Sequence, residues 1–251
     1  MPNHIPKEYK PAPDLLNDRV ILITGAGDGI GRAVAESFAA HGATVILLGR
    51  TIKKLETVYD AIIAAGGPEP AIYPLDLEGA NEADYHDLAD NIRKEYGRLD
   101  GLLHNAGILG ILSPIEHYDV ATWQRVMHIN VNAAFVLTKA CLPLLYESQD
   151  ASLAFTSSGV GRKGRAYWGA YAASKFANEA MMQILADETE SRGTLRVNSI
   201  NPGATRTKMR LAAYPAEDRS KLPEPKDIVG TYLYLFGPDS KGISGEAFNC
   251  Q

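Results

Sequence analysis

From Arg19 onward the chain alternates between short runs that are apolar at nearly every position and longer segments whose apolar residues recur every third or fourth position. RVILIT (19–24), ATVILLG (43–49), PAIYPLDL (70–77), LDGLLHNAG (99–107), ASLAFTSS (151–158), LRVNSINPG (195–203) and GEAFNC (245–250) have the length and composition of strands. Strands that are apolar throughout are covered on both faces, as in a parallel sheet with helices on each side. The segments between them read as those helices. GIGRAVAESFAAHG sets Ile30, Val34 and Phe38 on one face and stops at Gly42. Leu55, Val58, Tyr59 and Ile62 repeat the scheme before Gly66, and Tyr85, Leu88, Ile92 and Tyr96 before Gly97. With right-handed crossovers the pattern predicts one α/β domain over 19–251, a doubly wound parallel sheet of about seven strands flanked by helices. Residues 1–18 carry Pro2, Pro6, Pro11 and Pro13 and form an extension, either a loose arm or one laid over the body.

Composition excludes more than it adds. Among 251 residues 45% are hydrophobic and 22% charged, as in soluble globular proteins. A net charge of −5 offers no global attraction to nucleic acid or an anionic membrane, so the expected partners are small molecules or proteins. Cys141 and Cys250 are too few for a disulfide framework. No run approaches the roughly 18 apolar residues of a membrane span, and the N-terminus lacks the apolar stretch of a signal peptide. The expectation is a cytoplasmic protein. The histidines at 4, 41, 86, 104, 117 and 128 have no metal-ligand spacing, and His104 is expected to be buried near the sheet edge.

The candidate chemistry begins at TGAGDGIG (24–31), where the first strand meets the first helix. The spacing Gly-x-Gly-x-x-Gly fits no register there. Gly25, Gly29 and Gly31 still allow a tight turn, close backbone approach and a helix N-terminus facing a pyrophosphate. The second strand ends in Arg50, where an acidic residue would accept ribose hydroxyls and an arginine pairs with a 2′-phosphate; NADP(H) is favoured over NAD(H). Asp28 adds no positive charge to that turn. Tyr171 and Lys175 lie at i and i+4 on one helix face, where an ammonium favours tyrosinate and lowers the phenol's pKa. A phenol so tuned can give or take a proton.

With these residues in order the chain resembles the short-chain dehydrogenase/reductase family from about Leu15 to Asn249. The markers are the glycine turn, Asp76 in PLDL, Asn105-Ala106-Gly107, Asn130 in HINVNAAF, Ser158 thirteen positions before Tyr171, and Pro202-Gly203 with Thr207 beyond. The wording of DLLNDR, GRAYWGAYAASKFA and INPGATRTKMR is similar to the YciK-like subgroup of that family. The resemblance implies a Rossmann-type fold and hydride transfer between nicotinamide and a carbonyl or alcohol carbon. In it Tyr171 is the acid/base, Ser158 bonds the substrate oxygen, Lys175 holds the nicotinamide ribose, and Asn130 anchors a water path behind Lys175. It extends the cofactor set to Asp28, Ile30, Leu77, Ala106 and Thr205, and it implies a homodimer or homotetramer built on the long helices, including the run 117–148. A second reading on the same fold is a non-catalytic NADP(H)-sensing protein; a sensor has no need of the four aligned residues.

Two further expectations concern the substrate. By the resemblance, Arg162, Lys163 and Arg165, with Arg206, Lys208 and Arg210, flank one mouth. This points to a substrate bearing a carboxylate or phosphate or delivered on an acidic carrier, or else to a solvated charge run with contacts to the cofactor phosphate. The segment 208–227 is polar and proline-bearing and reads as a lid. The end, EAFNCQ, lacks the family's usual Asp-Gly-Gly.

Overall fold

The structure is a computed structural model and describes residues 3–251. Seven strands, β1 (Val20–Thr24), β2 (Thr44–Gly49), β3 (Ala71–Pro74), β4 (Gly101–His104), β5 (Ala151–Thr156), β6 (Leu195–Asn201) and β7 (Ala247–Asn249), form one parallel sheet. Their order is β3-β2-β1-β4-β5-β6-β7, so the winding reverses between β1 and β4, where Ile21 pairs with Gly101 and Ile23 with Leu103. In a doubly wound sheet a crevice opens at that reversal, beyond the carboxyl ends of the strands.

Alternate residues of each strand feed the two faces. Val20, Leu22, Ile46 and Leu48 pack on α3 (Glu82–Tyr96), α5 (Ala133–Leu145) and α6 (Gly169–Thr189) through Leu88, Leu137 and Met182. Ile21, Ile23, Val45 and Leu47 pack on α1 (Gly29–Ala40), α2 (Ile52–Ala64) and α8 (Val229–Phe236) through Phe38, Ile62 and Phe236. The helix boundaries follow local chemistry. Asp28 caps α1 by accepting from the Gly29 amide, Asn81 and Asp84 form a reciprocal capping box on α3, and Gly97 ends α3 in a left-handed conformation.

The structure decides or refines four expectations. The extension is laid over the body: Asn3 bridges β7, the Tyr9 ring meets the Tyr234 ring edge-on at 5.1 Å, and Leu16 is fully buried. The long helix expected in 117–148 runs over Val120–Leu145, with α4 (Val120–Met127) and α5 joined through a π-turn at His128–Asn132, the turn that carries Asn130. Although Val120–Leu145 reaches the length and apolarity of a membrane span, Leu137, Cys141 and Leu144 spend that apolarity in the sheet core. His104 lies on the central strand β4 rather than at an edge; its ring stacks on Phe155 at 4.9 Å and its Nε2 meets Thr138 Oγ1 at 2.8 Å.

Candidate active site

The crevice is a cavity of about 460 Å³. Its first wall is the glycine turn. Gly25 has φ +67°, and a Cβ there would stand 3.0 Å from the Ala106 Cα. A Cβ on Gly31 would stand 2.3 Å from the Gly25 carbonyl oxygen and 2.5 Å from Asn105 Nδ2, so this glycine lets α1 press against the ends of β1 and β4. Thr24 ties those strand ends together: its hydroxyl donates to the Leu103 carbonyl and accepts from the Asn105 and Ala106 amides.

The predicted residues Gly25, Asp28, Gly29, Ile30, Arg50, Asp76, Leu77, Asn105, Ala106 and Gly107 line this cavity, as do Ser158, Tyr171, Lys175, Pro202, Gly203, Thr205 and Thr207 on its other side. Gly31 and Asn130 do not line it. Gly31 acts through packing, and Asn130 lies behind, accepting from the Ile108 amide at 2.8 Å and donating to the Ile108 carbonyl and to Ser174 Oγ at 2.9 and 3.0 Å. Asn130 thereby fixes the chain just past Asn105-Ala106-Gly107, where a Cβ on Gly107 would lie 3.2 Å from the Asn130 Oδ1 and 3.7 Å from Lys175 Nζ.

Tyr171 and Lys175 share one face of α6, with Nζ 5.6 Å from the ring centroid and donating to the Thr156 carbonyl at 2.7 Å. The expected lowering of the phenol is not found. Burial pushes Tyr171 up to about 12, with the facing Ser158 side chain pulling the other way. Burial likewise brings Lys175 down to about 8, with Glu179 opposing. Desolvation penalises both charged forms more than the neighbouring groups restore them. Ser157 and Ser158 both line the cavity, and the buried Ser157 hydroxyl has no protein partner.

Sequence reasoning missed the electrostatics of the glycine turn. Asp28 accepts from Lys208 Nζ at 2.8 Å and Lys54 Nζ at 2.7 Å, and these two ammonium groups hold its carboxyl down to about 2. The acid of the turn thus brings two cations to the cavity edge, near Arg50, which has no ion-pair partner among the described residues. Lys54 stands four residues after Arg50 in the first turn of α2, a spacing that could have drawn attention to it.

The six cations of the mouth separate. Arg162 is not there: it is turned into the body and donates to Glu179, Ser199, Asn249 and the Phe248 carbonyl. Arg206 pairs with Glu224 at 3.1 Å, Arg210 with Glu217 at 2.6 Å, and Lys208 with Asp28. Arg165 donates to the neutral Tyr214 hydroxyl at 2.6 Å, and neither it nor Lys163 has an acidic partner among the described residues. The lid segment contains a short helix, α7 (Lys208–Ala213), capped by Thr207. Between α7 and Tyr171 the wall is apolar and aromatic. Trp168 lies 5.8 Å from the Tyr171 ring and 5.9 Å from the Tyr214 ring, with Leu109, Val160, Met209 and Ala213 around them.

These elements define a dinucleotide-binding α/β protein with a tyrosine–lysine pair at the cavity floor. A short chain dehydrogenase model matches residues 19–218, and the chain belongs to that family of oxidoreductases. It is 55% identical to the oxidoreductase YciK of Escherichia coli (strain K12) over 97% of this chain and 96% of that one. A short chain dehydrogenase of Shigella flexneri 2a, solved in complex with NADP, is 55% identical and superposes with a TM-score of 0.93 over 96% of this chain and 100% of that one. One of Escherichia coli CFT073, solved with NADPH, is 56% identical with a TM-score of 0.94, covering 96% and 100%.

Proposed function

We propose that this protein is an NADP(H)-dependent oxidoreductase that moves a hydride between nicotinamide and a carbonyl or alcohol carbon, with Tyr171 as the proton donor and acceptor. The observation that carries the reading is the meeting of Ser158, Tyr171 and Lys175 in one cavity with the glycine turn and Arg50. The residues fit a dinucleotide. Glycines keep open the space that side chains would fill, the N-terminus of α1 faces the groove, and Arg50 makes no ion pair among the described residues. The NADP- and NADPH-bound relatives support the phosphorylated cofactor.

When bound, the nicotinamide supplies the hydride. The chain supplies the rest. Tyr171 holds its proton throughout the neutral range and is therefore in the acid form that carbonyl reduction requires. Ser158 donates a hydrogen bond to the same substrate oxygen and stabilises the charge that develops there. Lys175 takes the nicotinamide ribose, and Asn130 holds the backbone beneath it. A sensor of NADP(H) has no use for the buried phenol and the serine that faces it.

The apolar wall of Leu109, Val160, Trp168, Met209 and Ala213 suits the body of an apolar carbonyl compound, and an acidic group on it would be met by Arg165. The same reading includes a homodimer or homotetramer in the cytoplasm: Phe135 on α5 and Phe176 and Ile184 on α6 expose apolar side chains, and both cysteines are free thiols.

Fluorescence titration with NADPH and NADH, followed by NADPH oxidation with a panel of carbonyls, tests the central claim. NADPH binding tighter than NADH, and turnover lost in Tyr171→Phe with binding kept, is the expected result. Failure to bind either nucleotide overturns it. Arg165→Ala with matched charged and neutral carbonyls tests the acidic-substrate reading, and equal effects on both would sink it.

A further inference from the structure

Arg162 follows the catalytic serine by four residues, yet it faces away from the substrate. The chain turns at Gly159–Gly161, with the Gly161 amide bonded to the Ser158 carbonyl at 2.9 Å. Gly161 lies flat on Lys175: a Cβ would stand 2.6 Å from the Lys175 Cβ and 3.0 Å from its carbonyl carbon. The next residue then reaches under α6. Arg162 Nε donates to Glu179 Oε1 at 2.9 Å, Nη1 to Asn249 Oδ1 at 2.8 Å, and Nη2 to the Phe248 carbonyl at 3.1 Å and Ser199 Oγ at 3.2 Å. Glu179 is nearly buried and takes a second bond from Ser199 Oγ at 2.6 Å. One guanidinium therefore joins the serine turn, α6, β6 and β7.

Glu179 also continues a series. Tyr171, Lys175 and Glu179 stand at i, i+4 and i+8 on α6, so the carboxylate lies one turn beyond the lysine on the same face. We propose that Arg162 and Glu179 are positioning residues for catalysis: their ion pair clamps the serine turn onto the tyrosine–lysine helix, and Glu179 presents a buried negative charge to Lys175. This rests on the oxidoreductase reading above for its catalytic meaning. The titratable and charged groups around Lys175 are Tyr171 and Glu179 on α6, His104 on β4, Tyr232 on α8 beyond Thr156, Cys250 beside Tyr232, and Arg162 behind Glu179. Burial holds His104 neutral by pushing it down to about 3, and holds Tyr171, Tyr232 and Cys250 protonated. Glu179 is thus the acid that offsets the desolvation of the ammonium, with Arg162 holding that carboxylate in place.

The test reads Lys175 directly. Protein labelled with carbon-13 at the lysine side chains, with Lys175 assigned from Lys175→Arg, is titrated by NMR without cofactor or substrate. The wild-type resonance is expected to move with a midpoint near about 8, and in Glu179→Gln about one pH unit lower. In the clamp arm, Arg162→Met is expected to lower kcat about tenfold or more, while its NADPH Kd moves less than about threefold. An unchanged Lys175 midpoint in Glu179→Gln overturns the proposal. So does a wild-type midpoint and kcat in the neutral double variant Arg162→Met/Glu179→Leu, because the pair would then only fill space. Should Glu179→Gln fail to fold, Glu179→Asp carries the same reading with a smaller shift in the same direction. The midpoint needs no turnover, so a protein that reduces no carbonyl would sink the oxidoreductase reading and leave the lysine result standing.

Discussion

The two walls of the cavity are built on opposite economies. On the floor, Tyr171 and Lys175 of α6, and just behind it Asn130, are between 2% and 7% exposed, and the amide and ammonium groups are bonded to backbone or neighbouring side chains. Across from them, Lys208 on the lid has a side chain 79% exposed, and its contact with Asp28 stands in water. Buried polar groups are costly to leave unpaired, so each one on the floor fixes geometry. Exposed ion pairs form and break at little cost. The contrast teaches where each task of the proposed reaction belongs: proton transfer among the buried, fully bonded groups, and ligand entry where contacts exchange with water.

Breaking the floor should cost most. Tyr171→Phe removes the proton and leaves the ring, so turnover should fall about 10²- to 10⁴-fold while NADPH still binds, checked by NADPH oxidation beside fluorescence titration. Gly31→Ala strikes the glycine-turn wall through packing. Its methyl would collide with the Gly25 carbonyl at 2.3 Å, a backbone atom that cannot swing aside. Thermal unfolding should show a loss of about 1–3 kcal/mol, with weaker binding of both NADPH and NADH. An Arg50→Ala change should act on one cofactor only. Losing a charge-assisted contact to a phosphate should weaken NADPH about 10- to 100-fold and leave NADH within about twofold; equal losses for both would refute the 2′-phosphate assignment.

The floor was far more legible in the sequence than the lid. Tyr171 and Lys175 announce themselves because helical spacing alone puts them on one face, and the glycine turn because it follows an apolar strand. The covered parallel sheet was readable because runs apolar throughout demand cover on both sides, but its strand order was not read from the sequence. What stayed hidden was set by contacts between distant segments. Lys208 meets Asp28 across 180 positions, and Arg162 meets Asn249 across 87. No local pattern distinguishes the inward Arg162 from the outward Arg165 three residues later. The rise of Tyr171 toward about 12 was missed because the spacing names the ammonium but is silent on how much water is excluded. The π-turn in the long helix at Asn130 was equally invisible, because HINVNAAF continues the helical pattern through it.

The smallest effect is expected at the lid, and it separates the walls most cleanly. Asp28 anchors α7 to the glycine turn through Lys208 and receives Lys54 from α2. Removing the lid's side of this contact with Lys208→Ala leaves Asp28 its second lysine, so the acid of the turn keeps a partner and the turn keeps its shape. The NADPH Kd should therefore change less than about fivefold. It should also lose part of its dependence on salt, because the pair that salt screens is gone. Asp28→Asn goes further: both lysines are freed beside Arg50, and NADPH affinity at low ionic strength should rise. Binding measured across a salt series gives the sign. Should Lys208→Ala instead match Tyr171→Phe in turnover, with no change in salt dependence, the lid would belong to the fixed machinery, and the division between a rigid floor and an exchangeable cover would be wrong.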